Sequence, residues 1–258
     1  MLVAIDVGNT HTVVGIYEGE ELTHHWRIST DAERTADEHG VMLQVLLSAA
    51  GLGVPLKPEG VVIACVVPPL NGTFEVLARK YFHCHPLTVG PGIKTGMSIL
   101  YENPKEVGAD RIVNAVAAYD RYNSAVIVVD FSGTATTFDY VSSRGEYVGG
   151  VIAPGLEISM NALVEHAAKL YRVELARPRE VVGRTTAAAI QSGFVFGYTA
   201  MVDGLVDRII HERGEKTRVI ATGGLAELIA PESATIEDVD EFLTLKGLRL
   251  IFERNRRP

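Results

Sequence analysis

Val3-Ala4-Ile5-Asp6-Val7-Gly8-Asn9-Thr10-His11-Thr12 and Val128-Val129-Asp130-Phe131-Ser132-Gly133-Thr134-Ala135-Thr136-Thr137 are two copies of one device. Each is a β-branched strand that ends in Asp, followed by a glycine and alternating threonines. Self-similarity at half the chain length points to a duplicated fold, with a boundary near Asp120 and domains over 1–120 and 121–258.

The surroundings of each copy repeat as well. Leu2 to Asp6, Thr12 to Tyr17 and Leu22 to Ile28 read as a β-meander, with Glu18-Gly19-Glu20 as one of its turns. Val126 to Asp130, Thr136 to Val141 and Tyr147 to Ile152 repeat it. Val61 to Val66 is a short apolar run of the kind covered on both faces, and Arg218 to Ala221 is a further strand. Helices are predicted at Thr35 to Ala50, Leu70 to Tyr81, Asp110 to Tyr122, Glu157 to Ala168, Thr185 to Arg213 and Leu225 to Ile229. The pattern is that of an α/β protein.

Composition removes several function classes. With 258 residues, 47% hydrophobic and 22% charged, the chain can bury a proper core. A net charge of -8 argues against a nucleic-acid partner, since the basic cluster Arg254 to Arg257 reads as a solvated end. Met1 to Asp6 run straight into a strand with no basic leader, and no apolar stretch is long enough to span a bilayer. Two cysteines, Cys65 and Cys84, are too few for a disulfide framework. A cytoplasmic protein without a membrane partner is expected.

The hairpins carry phosphate chemistry. Glycine lets backbone N–H groups approach an anion, threonine hydroxyls donate further hydrogen bonds, and an Asp at a strand end can hold a hydrated cation. One such hairpin is also what an ordinary β-turn looks like, but two facing one cleft can grip a nucleoside triphosphate from both sides. Thr222-Gly223-Gly224-Leu225-Ala226 follows the strand Val219 to Ala221 and opens a helix, so a flat base or a phosphate can lie on bare backbone; a tight connection alone would look the same. Gly108-Ala109-Asp110-Arg111 starts a helix. Asp110 there either caps the helix or acts as general base on a substrate hydroxyl, with Arg111 binding an anionic group.

In order and spacing, Asp6 to Thr10, Gly108 to Arg111, Gly133 to Thr137 and Thr222 to Gly224 resemble the phosphate, substrate and adenosine motifs of type III pantothenate kinases. The resemblance runs from Leu2 to about Gly247 and takes in Gly90 to Gly96, Tyr101 to Pro104 and Gly149 to Gly155. It implies duplicated ribonuclease H-like, actin-like ATPase domains, each a mixed sheet flanked by helices, with the active site in the cleft between them. It also implies phosphorylation of pantothenate by ATP, the first step toward coenzyme A.

Carried over by position, Asp6, Val7, Gly8, Asn9, Thr10, His11, Thr12 and Val13 would wrap the ATP phosphates, with Thr134, Gly223 and Gly224 also on ATP. Asp110 would be the base. Asp130 would hold a monovalent cation, K+ or NH4+, beside the Mg2+ that accompanies ATP. Tyr101, Gly108, Ala109, Asp110, Arg111 and Thr186 match the pantothenate-binding positions. The family works as a homodimer, and its members resemble the Bvg accessory factor.

One departure stands out. The family pattern has a single residue between the Asp and the Gly of the second hairpin, whereas Phe131 and Ser132 both intervene here. The extra residue is expected either to be absorbed as a bulge or to turn Asp130 or Thr134 away from the cleft.

Other residues carry less. His83-Cys84-His85 in immediate succession cannot all reach one ion from an extended strand. His11 is either a phosphate donor or a solvent-facing loop residue, and Lys94 either steers an anion or is exposed. Trp26 and Arg27 have no assigned role. Asp139 shares a strand face with Thr137 and reads as a structural carboxylate. Against the kinase stand a non-catalytic nucleotide-binding regulator of the same fold, a nucleotide-gated scaffold, and a hydrolase acting on phosphate anhydrides.

Overall fold

The computed structural model describes residues 1–53 and 55–256. The last residue of the basic run Arg254 to Arg257 lies outside them. The chain forms β1 (Leu2–Val7), β2 (His11–Glu18), β3 (Glu21–Ser29), α1 (Ala36–Ala49), β4 (Gly60–Cys65), α2 (Leu70–Tyr81) and β5 (Leu87–Thr88). A two-residue strand β6 (Ser98–Ile99) and the helix α3 (Ala109–Tyr122) follow. Then come β7 (Val126–Asp130), β8 (Ala135–Val141), β9 (Glu146–Pro154), α4 (Leu156–His166), α5 (Thr186–Arg213), β10 (Arg218–Thr222), α6 (Ala226–Ile229), β11 (Asp238–Val239) and α7 (Leu243–Asn255).

The duplication read from the hairpins is written into both sheets. One has the order β3-β2-β1-β4-β5, and the other β11-β10-β7-β8-β9-β6. From β9 to β11 the second sheet repeats the first strand for strand, with β6 added beside β9. In both, the meander is antiparallel and the next two strands are parallel. Even the irregularities match. The ladder slips at Ile16/Tyr17 in one copy and at Tyr140/Val141 in the other, a constant offset of 124 positions (130 − 6, 140 − 16) from the strand-end aspartates.

Contacts divide the chain into two units. The first is Met1–Met97, Glu102–Ala117 and Thr244–Pro258; the second is Ser98–Tyr101 and Ala118–Leu243. The boundary expected near Asp120 falls in α3, whose residues divide between the units after Ala117, and the last helix counts with the first unit.

Local sequence explains the elements. β4 and β7 are buried on both faces, as their unbroken Val, Ile and Ala demand. α1 begins at a capping box in which Thr35 and Glu38 exchange side-chain and backbone hydrogen bonds. α5 starts where the Thr185 hydroxyl accepts the Ala188 amide, and it stops at Gly214, which takes the left-handed conformation with φ 68°. In the first unit Val3, Ile5, Val14, Ile16 and Ile63 pack against Leu43 and Leu47 of α1 and Phe74 and Leu77 of α2. Phe252 and Leu245 of α7 press on Gly60 and Gly15 of the same sheet. In the second unit Ile127, Val129 and Phe138 pack against Val202 and Val206 of α5 and Leu156 of α4. Each fully buried aliphatic or aromatic side chain is worth about 1.5–3 kcal/mol relative to exposure.

His39 is an exception in that first core. It is fully buried in α1, and its ring lies 4.9 Å from that of Phe74. Burial holds its pKa below the ordinary imidazole value, and the Arg34 charge acts the same way. The folded unit keeps this imidazole neutral while the unfolded chain takes up its proton near the ordinary 6.5, so stability is lost as pH falls below that value. Denaturant unfolding at about pH 7.5 and about pH 5.5 is expected to show the native chain losing more stability than His39→Leu. Equal losses would show that His39 does not titrate in this interval.

Candidate active site

The first hairpin is braced at its base. The Gly8 amide donates to the His11 carbonyl at 3.0 Å, closing the turn. Thr12 is fully buried, and its hydroxyl shares a 2.9 Å hydrogen bond with that of Thr30. The Thr30 amide in turn donates to the Thr10 carbonyl at 3.0 Å. Thr12 therefore holds the hairpin, while exposed Asn9 and the half-buried Thr10 and His11 form its accessible tip. Asp6, one residue before the end of β1, pairs with Ala64 of β4, and Cys65 pairs with Val7. Burial pushes the Cys65 thiol up, and the Asp6 charge adds to that effect.

The second hairpin covers the same length of chain as the first despite its extra residue before the glycine. Its ladder runs without a shift from Val126↔Val141 to Asp130↔Thr137, so no bulge absorbs Ser132. Asp130 stands as far from its cross-strand partner as Asp6 does from Val13. Ser132 therefore occupies the place of Gly8, and Thr134 and Thr136 the places of Thr10 and Thr12. Phe131 and Ser132 shift the glycine by one place and leave the threonines in register. The Asp130 carboxylate, nearly buried, accepts the Ser132 amide at 2.7 Å, a turn in which a side chain replaces the carbonyl acceptor used in the first copy. Thr134 is exposed, and its carbonyl accepts the Gly155 amide at 2.9 Å, as Thr10 does for Thr30.

The Thr-Gly-Gly turn leans on this second hairpin. The Phe131 amide donates to the Thr222 carbonyl at 2.9 Å, and the Thr222 hydroxyl donates to the Asp240 carbonyl at 2.7 Å. Asp240 accepts Arg121, which also bonds Asp238, so the strand beyond is fixed too. Gly223 has φ 92°, and a Cβ there would sit 2.6 Å from the Phe131 carbonyl carbon and the Ser132 nitrogen. Only glycine permits this contact. Leu225, next along the chain, lines a cavity of about 420 Å³ with Glu157, Met160, Arg172 and Glu174.

Asp110 lies in the first turn of α3, and its carboxylate accepts the Arg111 amide at 2.8 Å. A Cβ at Gly108 would run into that carboxylate and reach Val66, which itself donates to the Val7 carbonyl at 3.0 Å. The first unit thus brings Gly108, Ala109, Asp110 and Arg111 beside the base of the hairpin Asp6 to Val13. Asp130, Thr134, Gly223, Gly224, Tyr101 and Thr186 belong to the second unit. Tyr101 follows β6, its ring 6.5 Å from that of Tyr147. Thr186, exposed at the start of α5, lines an apolar pocket of about 490 Å³ with Leu163, Ile190, Phe194 and Tyr198. Reading the sequence missed Thr30, Asp240 and Tyr147 as supports, because each acts through a partner far away in the chain.

In chemical terms, backbone amides and hydroxyls at hairpin tips suit phosphate oxygens, and carboxylates at strand and helix ends suit a cation or a proton. A family model described as Type III pantothenate kinase matches residues 2–208. A type III pantothenate kinase of Pelobacter propionicus is 57% identical over 256 residues, 99% of this chain and 100% of that protein. Among solved structures, a Baf family protein from Campylobacter jejuni matches with a TM-score of 0.61 at 17% identity, covering 98% of each chain. MreB 5 of Spiroplasma citri bound to AMPPNP matches with a TM-score of 0.53 at 11% identity, covering 98% of this chain and 96% of that one. The fold is that of the actin-like ATPases.

Replacing Gly223 by Ala is expected to cost at least about 1 kcal/mol at that residue and to displace Phe131 and Ser132. Nucleotide affinity measured by calorimetry should fall about tenfold or more. Unchanged affinity would separate the Thr-Gly-Gly turn from nucleotide binding.

Proposed function

The chain belongs to the type III pantothenate kinase family, and on that premise we propose which of its residues carry the reaction. It phosphorylates pantothenate at the expense of ATP, the first step of coenzyme A biosynthesis. The observation that carries this function is a match to curated kinases along the whole chain, rather than over the hairpins alone. The regulatory alternative is not favoured, since Asp110 and both hairpins are retained in register.

We propose that Asp6, Val7, Gly8, Asn9, Thr10, His11, Thr12 and Val13 form the loop around the ATP phosphates, Thr12 through its bond to Thr30 and the accessible tip by direct contact. Thr134 and the bare backbone of Gly223 and Gly224 complete the nucleotide contacts. The oxygen-rich ends of β1 and β7 fit hard cations. Asp6 would hold the Mg2+ that travels with ATP, and Asp130, steadied by the Ser132 amide, would supply an oxygen ligand for K+ or NH4+. Such a cation would offset negative charge beside the phosphates.

A primary alcohol is a poor nucleophile at neutral pH. Asp110 accepts its proton as the oxygen bonds to the γ-phosphorus and the bond to the bridging oxygen breaks, releasing ADP. Its bond to the Arg111 amide holds the carboxylate in place, and Arg111 is set to bind an anionic group. Tyr101, Gly108, Ala109 and Thr186 complete the pantothenate contacts. Most of the rate is expected from positioning and charge stabilisation.

We further propose a cytoplasmic homodimer with no nucleic-acid partner. Net charge of -8 supports the last point, and no helix among the described residues is long and apolar enough to cross a membrane. Ile158, Tyr171, Val181 and Val182 of the second unit are exposed apolar side chains that a partner copy could cover.

The test is ADP release with ATP, Mg2+ and K+, comparing pantothenate with no acceptor and with glycerol. Pantothenate-dependent release is expected, and Asp110→Asn should lower kcat by roughly 10²–10⁴ with the KM for ATP little changed. Release that ignores pantothenate would point to a hydrolase, and a fully active Asp110→Asn would remove the base from Asp110.

A further inference from the structure

Internal duplication gives this protein its own control, because each residue of the second meander can be compared with its counterpart in the first. At the offset of 124 positions Asp139 corresponds to Gly15. Across the matched slips of the two ladders, Tyr147, which pairs with Val141, corresponds to Leu22, which pairs with Tyr17. Gly15 and Leu22 pack together directly, since a Cβ at Gly15 would lie 2.9 Å from Leu22. In the second copy the same two places hold a buried carboxylate and a buried phenol. The Tyr147 hydroxyl donates to Asp139 Oδ1 at 2.6 Å, and the Thr137 hydroxyl donates to Asp139 Oδ2 at 3.2 Å. Both Asp139 and Tyr147 are fully buried.

Burying a carboxylate costs free energy even when it is hydrogen-bonded, and the first copy builds the same strand order without one. The pair is therefore not a requirement of the sheet. What the second copy has and the first lacks is β6, the added edge strand that leads into Tyr101. Tyr147 holds that segment in three ways. It pairs with Ile99, its carbonyl accepts the Leu100 amide at 2.8 Å, and its ring meets the Tyr101 ring at 49°. Gly149, opposite Tyr140, leaves room under the Tyr101 ring, where a Cβ would already be in van der Waals contact at 3.7 Å. The slip at Tyr140/Val141 makes Val148 the additional residue, which is what sets Tyr147 facing inward toward Asp139.

We propose that Asp139 and Tyr147 are positioning residues for pantothenate: the buried Asp139–Tyr147 hydrogen bond fixes the ring against which Tyr101 is placed. This rests on the reading that Tyr101 contacts the substrate. Thr137, which also bonds Asp139, pairs across from Asp130, so the same carboxylate ties the Tyr101 support to the strand that carries the second hairpin.

Steady-state kinetics on the full chain test this, with KM for pantothenate and for ATP measured separately in Tyr147→Phe, Tyr101→Ala and the double variant. Tyr101→Ala is expected to raise the pantothenate KM about tenfold or more, and Tyr147→Phe about three- to tenfold, each with the ATP KM within about twofold. Tyr147→Phe should add nothing once Tyr101 is Ala. If Tyr147→Phe does not fold, the double variant Asp139→Gly/Tyr147→Leu, which copies the first half's own pair, gives the same reading of the pantothenate KM. The proposal is overturned if Tyr101→Ala raises the pantothenate KM while Tyr147→Phe changes both KM values equally or acts just as strongly without Tyr101. A pantothenate KM unmoved by Tyr101→Ala removes the substrate reading itself, and the proposal with it.

Discussion

How far the chain travels between Asp6 or Asp130 and its cross-strand partner governs the register of both hairpins. Side chains on a strand alternate faces, so one residue more or less in a hairpin would send every threonine after it to the opposite side. The two hairpins cover the same distance, Asp6 to Val13 and Asp130 to Thr137. Thr12 and Thr136 consequently both point into a core, and Thr10 and Thr134 both stay near the surface. The difference between the copies is confined to what closes the turn, a backbone carbonyl in one and the Asp130 carboxylate in the other.

Most of the architecture could be read from local pattern. β7 and α2 have the bounds expected from their apolar runs, and the other long elements differ by a residue or two at their ends. β5, β6 and β11 escaped because each has two residues, too few for any periodicity. α7 escaped because its apolar positions are interrupted by Lys246, Gly247 and Arg249, and its helical identity comes from packing on Gly15 and Gly60. The phosphate and base motifs were legible as contiguous strings with a chemical logic. Their supports were not, since Thr30, Asp240 and Tyr147 matter only through residues brought near by folding. Measured from Asp to Gly the second hairpin is one residue longer than the first, yet measured across the ladder the two are equal.

A fold shared with MreB and Baf family proteins says little about chemistry by itself. What individualises this chain is concentrated where the two copies disagree: a carboxylate at the start of α3, a sixth strand at one sheet edge, and a polar pair where the first half has Gly15 and Leu22. Divergence between duplicated halves marks the residues that the shared strand order does not require. The core aliphatic residues are common property; Asp139 and Tyr147 are not.

The return of α7 to the first unit bears on how the protein is made. Its helix covers a sheet face that includes Gly15, Gly60 and Tyr17, the last beneath the Arg249 guanidinium at 5.9 Å. Those residues leave the ribosome early, whereas α7 is synthesised only after the entire second unit. The first sheet must therefore wait, with one face bare, while more than a hundred residues are added, and the second unit has all of its own pieces first. Birth order and completion order are reversed, so the apolar face that α7 covers stays open to other chains for longer than any face of the second unit's own core.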